Sequence, residues 1–471
     1  MFGGSTYERR RETLGERLES GLVLLVGNGE SPMNYADNAY PFRQDSTFLY
    51  YFGLAQPELA AVLDAETGVA TLFGDDVTVE QVVWTGEVPG LAERAERAGV
   101  SETRPMAALA DVVRSARASG RRVHWLPPYR AAHVLALSDL LELEPGEVAG
   151  SASTKLNEAV VDQRAHKDPG EVREIERAVE TSVAMHEAAL RMVSPGVTEL
   201  AIAAEVERIA RAEGGRIAYP VIGTIHGETL HNHGQAYTLS EGDLFLLDAG
   251  AETAMGYAGD LTTTCPVSGT FDDRQRDVYA ILMAAYEDAV AALAPGVPYR
   301  DVHLRTARAI FEGMKDLGLM RGDADEAVAA GAHALVFPHG LGHMMGLDVH
   351  DMENLGEDRV GYADEERSPQ FGLKYLRLAR PLEPGFVITV EPGIYFIPPL
   401  IDDWRVRGHC ARFIDFEAFE GWRGFGGMRN EENYLITGDG ARRLGPRKPQ
   451  TPEEMERVRS GESLETAGHA G

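Results

Sequence analysis

The chain reads as a two-domain α/β protein of the α+β kind: an N-terminal α/β domain, then a larger, internally duplicated domain with a largely antiparallel sheet. Three observations predict this. Over about the first 150 residues, short apolar runs alternate with helix-spaced stretches, as in an α/β layer. Farther on, the break Ser194-Pro195-Gly196-Val197 between two helical stretches returns about 100 residues later as Ala294-Pro295-Gly296-Val297, which suggests duplication. The strands of the second half also come as hairpins. At 471 residues and 44% hydrophobic, the chain is long enough for two cores.

In order, residues 5–19 alternate charge at helical spacing and predict a helix, and 22–26 is an apolar run that predicts a buried strand. Runs 48–52, 60–64 and 69–73 read as further short strands between turn residues. Helical stretches near 91–99, 106–118 and 131–142 flank a strand at 122–126. Nothing here concentrates catalytic residue types, so residues 1–165 are expected to form an accessory domain, a lid or a dimerisation element.

The second domain is expected over 166–447. Asp168-Pro169-Gly170-Glu171 starts a helix with a capping Asp, Pro at the first helical position and Glu three residues after the cap. Val172, Ile175, Val179 and Val183 follow at helical spacing. Helices are expected over 274–293 and 299–317, and strands at 219–223, 243–250, 259–267, 386–391 and 428–437. Residues 448–471 read as a tail, with a turn or two of helix over 451–459 and a frayed last dozen.

Composition excludes several functions. With 45 Lys+Arg against 74 Asp+Glu, the net charge of −29 argues against nucleic acid or an anionic membrane as partner. Lysine is scarce, confined to Lys155, Lys167, Lys315, Lys374 and Lys448. Cys265 and Cys410 alone provide neither a disulfide framework nor a thiolate metal cluster. The first eleven residues have no apolar signal core, and no run approaches the ~20 apolar residues of a membrane helix. A cytoplasmic location is the expectation.

The chemistry concentrates around Phe337-Pro338-His339-Gly340-Leu341-Gly342-His343-Met344-Met345-Gly346-Leu347-Asp348-Val349-His350-Asp351. Two aspartates twelve apart, Asp248 and Asp260, end and resume apolar strands across a Gly-containing turn. A hairpin of that spacing brings both carboxylates to one face, where they require a shared proton or a cation. Glu391 ends another apolar strand before Pro392-Gly393. Of the neighbours Glu431 and Glu432, only one can face the site; Arg429 shares a face with Glu431, which selects Glu431. The set Asp248, Asp260, His343, Glu391 and Glu431 is oxygen-rich and suits two hard or borderline divalent ions, Mn²⁺ first and Zn²⁺ or Co²⁺ as alternatives. Two such ions would acidify a shared water into a bridging hydroxide. His231, His339 and His350 remain to bind substrate or steady the developing oxyanion.

In order and composition, the stretches 337–351, Thr389-Val390-Glu391-Pro392-Gly393-Ile394-Tyr395-Phe396 and Phe425-Gly426-Gly427-Met428-Arg429-Asn430-Glu431-Glu432 resemble the pita-bread metallopeptidases, in the branch of aminopeptidase P and prolidase. The stretch 40–53 resembles the start of that branch's N-terminal accessory domain. The resemblance implies a pseudo-symmetric pita-bread catalytic domain with a curved sheet, a homodimer, and peptides with proline second as substrates. It implies that Asp248 chelates one ion, that Asp260 and Glu431 bridge both, and that His343 and Glu391 complete the second. Glu391 would also shuttle the proton to the leaving nitrogen, and His350 would contact the scissile carbonyl. His231 and His339 would line the proline pocket, with Arg429 beside them supporting the metal shell. Asn430 departs from the family, which usually has Ile or Val there. Arg377, fourteen residues before Glu391, resembles the carboxylate-binding arginine of prolidases, which cut only the dipeptide. The segment 400–426 resembles bacterial Xaa-Pro aminopeptidases, the preferred reading. A third reading is a pita-bread domain that has lost its metals and serves as a binding module, but such relatives lack parts of the five-residue set.

Overall fold

A computed structural model of the chain describes residues 1–363 and 365–461; from residue 462 on, the expected frayed end lies outside them. The chain divides into two compact units, Met1–Arg164 with Met352–Arg359, and Ala165–Asp351 with Val360–Gly471. Among the described residues no helix is long and apolar enough to cross a membrane.

The first unit is built on a five-stranded mixed sheet of β1 (Leu22–Val26), β2 (Ala60–Asp64), β3 (Ala70–Phe73), β4 (Glu102–Arg104) and β5 (Val123–His124), in the order β4-β3-β2-β1-β5. β1 pairs antiparallel with β2 and parallel with β5. Leu22, Leu24, Val62 and Phe73 pack against Val113 and Leu137 from helices Leu109–Ala118 and Ala131–Leu141. One expectation fails here: 48–52, expected as a strand, lies in the helix Ser46–Phe52. The Asp45 carboxylate accepts from Phe48 N at 2.9 Å, and Gly53 closes the helix in the left-handed region. All seven helical residues are buried, so no polar face leaves a 3.6-residue rhythm to be read.

The second unit shows the duplication plainly. Helices Pro169–Met192 and Glu199–Ala212 are joined at Gly196 (φ 89°), and Asp273–Ala291 and Tyr299–Asp316 at Gly296 (φ 82°). Glycine serves both turns because L side chains avoid that region. Gly196 N donates to Leu239 O at 2.9 Å and Gly296 N to Leu382 O at 2.8 Å, so each turn is pinned to an equivalent loop. The helix at 169 begins with the expected reciprocal cap between Asp168 and Glu171.

Among the described residues this unit holds ten strands: β6 (Arg216–Ile217), β7 (Ile222–Thr224), β8 (Leu244–Asp248), β9 (Ala251–Glu252), β10 (Thr262–Pro266), β11 (Val387–Val390), β12 (Gly393–Tyr395), β13 (Gly427–Arg429), β14 (Glu432–Ile436) and β15 (Ala441–Arg443). They form the antiparallel groups β10-β8-β7, β11-β14-β15, β12-β13 and β6-β9. The run at 219–223 is strand only from Ile222, since Pro220 has no N–H to give a ladder. The run at 428–437 splits at Asn430-Glu431, where the chain leaves β12 as partner and takes up β11. Residues 400–426 hold helices Pro398–Arg407 and Phe416–Glu420. Past Gly445, Lys448 and Gln450 are buried and a helix covers Pro452–Arg459.

Candidate metal centre

The hairpin β8–β10 sets Asp248 opposite Thr262, with Asp260 two residues before Thr262. Asn433 holds Asp260 by its backbone: Asp260 N donates to Asn433 Oδ1 at 3.1 Å, and Asn433 Nδ2 donates to Asp260 O at 2.6 Å. Tyr219 OH, which sequence reasoning missed, lies 2.7 Å from Asp248 Oδ1 and within hydrogen-bond reach of Asp260 Oδ1, so its single proton serves the two carboxylates between them. No periodicity marks a lone tyrosine before a proline, so the sequence carried no signal for it.

The loop 337–351 lies against β11. A side chain at Gly342 would run into the Thr389 carbonyl oxygen, so glycine is required for that approach. His343 N and Thr389 Oγ1 are 3.1 Å apart. His343 Nδ1 lies 3.0 Å from Met344 O; donating there leaves the Nε2 lone pair for a ligand. That Nε2 is 3.4 Å from Asp260 Oδ2 and 3.6 Å from Glu391 Oε1. Glu391 is anchored by its backbone, N donating to Leu341 O at 2.8 Å. The His350 ring sits 4.3 Å from that of His343, centroid to centroid.

Glu431 projects from the junction of β13 and β14. Its Oε2 accepts from Thr262 Oγ1 at 2.7 Å, while its Oε1 is buried without a hydrogen-bond partner. Arg429 bonds Glu431 through an intermediary rather than head-on. Its Nη2 donates to Asp248 Oδ2 at 2.5 Å, Nη1 to Tyr395 OH at 2.8 Å and Nε to Thr262 Oγ1 at 3.1 Å, so it reaches Glu431 through the threonine hydroxyl. Thr262, Tyr395 and Asn433 therefore join the site; each lies in a stretch picked out in the sequence, but none was given a role there.

Ligand atoms of Asp260, His343 and Glu431 all lie within 4.8 Å of one another. Burial first, and the neighbouring carboxylates second, push Glu391, Glu431 and Asp260 well above the usual carboxylate range. Such a cluster must hold protons or a cation. The donor set, with the orphaned Glu431 oxygen and His343 Nε2 facing Asp260 and Glu391, fits a divalent ion. His339, largely shielded from solvent and near Arg429, is held neutral, desolvation and then the guanidinium lowering its pKa to about 3. Its Nε2 is 2.9 Å from Tyr395 OH.

Asp248, Asp260, His343, Glu391 and Glu431 all line one cavity of about 820 Å³. His231, His339, His350, Arg377 and Arg429 line the same cavity, so the proposed metal ligands and substrate residues meet there. His233, Phe371, Tyr375 and Leu400 add walls that sequence reasoning did not single out.

Residues 173–438 match metallopeptidase family M24, and residues 7–124 match the N-terminal domain of aminopeptidase P. The chain is 32% identical to the Xaa-Pro aminopeptidase of Escherichia coli over 466 residues, 96% of each chain. It is 30% identical to the Xaa-Pro dipeptidase of Homo sapiens, over 97% of this chain and 93% of that one. Among solved structures, a substrate complex of an E. coli aminopeptidase P variant superposes with a TM-score of 0.82 at 29% identity, covering 98% of this chain and 99% of the other. Aminopeptidase PepP of Pseudomonas aeruginosa gives 0.81 at 28%, with the same coverage.

Proposed function

The chain belongs to metallopeptidase family M24, and we propose that it is an Xaa-Pro aminopeptidase, releasing the first residue of peptides whose second is proline. The strongest support is the meeting of four carboxylates and an imidazole at one cavity, with a buried Glu431 oxygen lacking a partner. Its volume of about 820 Å³ lies toward the upper end of the ~300–1,000 Å³ typical of ligand pockets. Residues beyond the proline therefore have room, which favours an aminopeptidase. Arg377 lines the same cavity, and this supports the second reading, a prolidase that claims the dipeptide carboxylate.

Asp248, Asp260, His343, Glu391 and Glu431 would hold two divalent ions, with Mn²⁺ preferred from the oxygen-rich donors. When bound, the ions would acidify water and polarise the scissile carbonyl. Glu391, its proton affinity raised by burial, is suited to take the proton of the attacking water and hand it to the proline nitrogen. His350 would donate to the scissile carbonyl oxygen, while His231 and neutral His339 would line the proline pocket. Arg429 would orient Asp248 directly and Glu431 through Thr262. Residues 1–165 serve as accessory domain and 166–447 as catalytic domain. A homodimer and a cytoplasmic location are what the family resemblance implies.

The test compares an Arg-Pro-Pro tripeptide with Xaa-Pro dipeptides on Mn²⁺-loaded enzyme. Cleavage of the tripeptide is expected. If it resists while dipeptides are cut, and Arg377→Ala raises the dipeptide KM, the protein is a prolidase. Metal content near zero after loading would instead make it a binding module.

A further inference from the structure

Asn430, Glu431, Glu432 and Asn433 alternate in direction as the chain enters β14. Glu431 and Asn433 turn to the site, where they bond Thr262 and Asp260. Asn430 and Glu432 turn away into the interior, at 1% and 0% exposure. Behind them runs the stretch 448–450, which lies beyond the residues 173–438 matched by the peptidase family. Lys448, fully buried, donates from Nζ to Asn430 Oδ1 at 2.5 Å. Gln450 Nε2 donates to Glu432 Oε1 at 3.0 Å. Gln450 is itself fixed, its carbonyl accepting from Tyr279 OH at 2.6 Å and its N donating to Glu454 Oε2 at 2.9 Å.

A buried ammonium is costly and persists only where its partners repay the desolvation. Its hydrogen-bond partner here is the Asn430 side-chain oxygen, and the buried Glu432 carboxylate favours its charged form. The backbone at this point is also weakly held. Asn430 N donates to Pro392 O at 3.3 Å and Glu431 N to Thr262 O at 3.2 Å, both at the long end for such bonds. The ladder is thinnest where the chain changes partner strand, and there Glu431 projects.

We propose that Lys448 is a positioning residue for the metal-binding carboxylate of Glu431: by holding Asn430 from behind, its ammonium fixes the backbone between β13 and β14. The inference rests on Glu431 being a metal ligand. Lys448 touches neither substrate nor ion, so its removal should act on metal affinity through the geometry of Glu431.

The experiment titrates Mn²⁺ by calorimetry into chelator-stripped, full-length protein, alongside the thermal midpoint of each stripped variant. Lys448→Met is combined with Glu432→Gln, so that no buried carboxylate is left without its cation. Asn430→Leu breaks the same contact from the other side, and Glu431→Gln is the control. The Lys448→Met/Glu432→Gln pair and Asn430→Leu should each weaken Mn²⁺ binding by about 10- to 100-fold, as loss of outer-shell partners does. The midpoint of the Lys448→Met/Glu432→Gln pair should stay within a few degrees of wild type, whereas Asn430→Leu, which leaves the buried ammonium without its acceptor, should melt lower. Combining all three changes should add little, because one contact is being removed. Unchanged affinity in both variants, with Glu431→Gln weakened, overturns the proposal alone. Unchanged affinity in Glu431→Gln as well overturns the metal reading of the site, and the proposal with it.

Discussion

Asn433→Leu probes how the fold holds Asp260. The Asn433 side chain is fully buried and closes two hydrogen bonds on one residue, accepting from Asp260 N at 3.1 Å and donating to Asp260 O at 2.6 Å. Leucine keeps the branching of asparagine with bulkier methyl groups, so the change opens no cavity, and any overpacking adds to the polar loss. It leaves a buried N–H and a buried C=O unsatisfied, each costing about 1–3 kcal/mol, for a sum of roughly 2–6 kcal/mol. At about 2 °C per kcal/mol for a unit of this size, the midpoint of metal-stripped protein should fall by roughly 4–12 °C. Stripping matters because bound ions would mask the loss by mass action. Asp260 should also lose its aim, weakening Mn²⁺ affinity by about 10- to 100-fold. Urea unfolding gives the first quantity and calorimetric titration the second. A stability change under about 0.5 kcal/mol would refute the assignment of those bonds. Lost stability with wild-type metal affinity would refute the claim that Asn433 aims Asp260.

The remaining predictions address the ions and pH. Asp260→Ala should abolish turnover and lower the bound-metal stoichiometry of loaded enzyme; full activity with the metal retained would contradict a ligand role. Burial lowers the pKa of His333 to about 4, whereas an unfolded histidine titrates near 6.5. The unfolded state therefore binds the extra proton as pH falls from about 6.5 to 4, and the folded state does not, so stability is complete above 6.5 and declines across that window. Relative to His333→Leu, wild type should lose roughly 3 kcal/mol between pH 7 and pH 4, read by urea unfolding. A pH-independent difference between the two proteins would show that the ring is hydrated rather than buried.

What the sequence revealed and what it hid divide along physical lines. Asp248, Glu391 and the 337–351 loop were legible because a charged or imidazole group at the end of an apolar strand or in a glycine-rich turn is costly without a purpose. The Pro-Gly-Val echo was legible because a left-handed turn between helices leaves few residue choices, and Gly196 and Gly296 adopt nearly the same φ. The helix at 46–52 was not legible, since burial on every side erases periodicity. Tyr219, Thr262 and Asn433 were hidden for another reason: each acts through hydrogen bonds to residues distant in sequence, and such polar contacts leave no periodic pattern. Arg429 shows both sides. It lines the same cavity as Glu431, yet its hydrogen bonds run to Asp248, Tyr395 and Thr262, the last of which bonds Glu431 in turn. Alternation along a strand predicts faces reliably only while the strand keeps one partner. At the junction that carries Glu431 the partner changes, and there the contacts of Asn430 and Lys448, rather than the ladder, must fix the direction of the side chain.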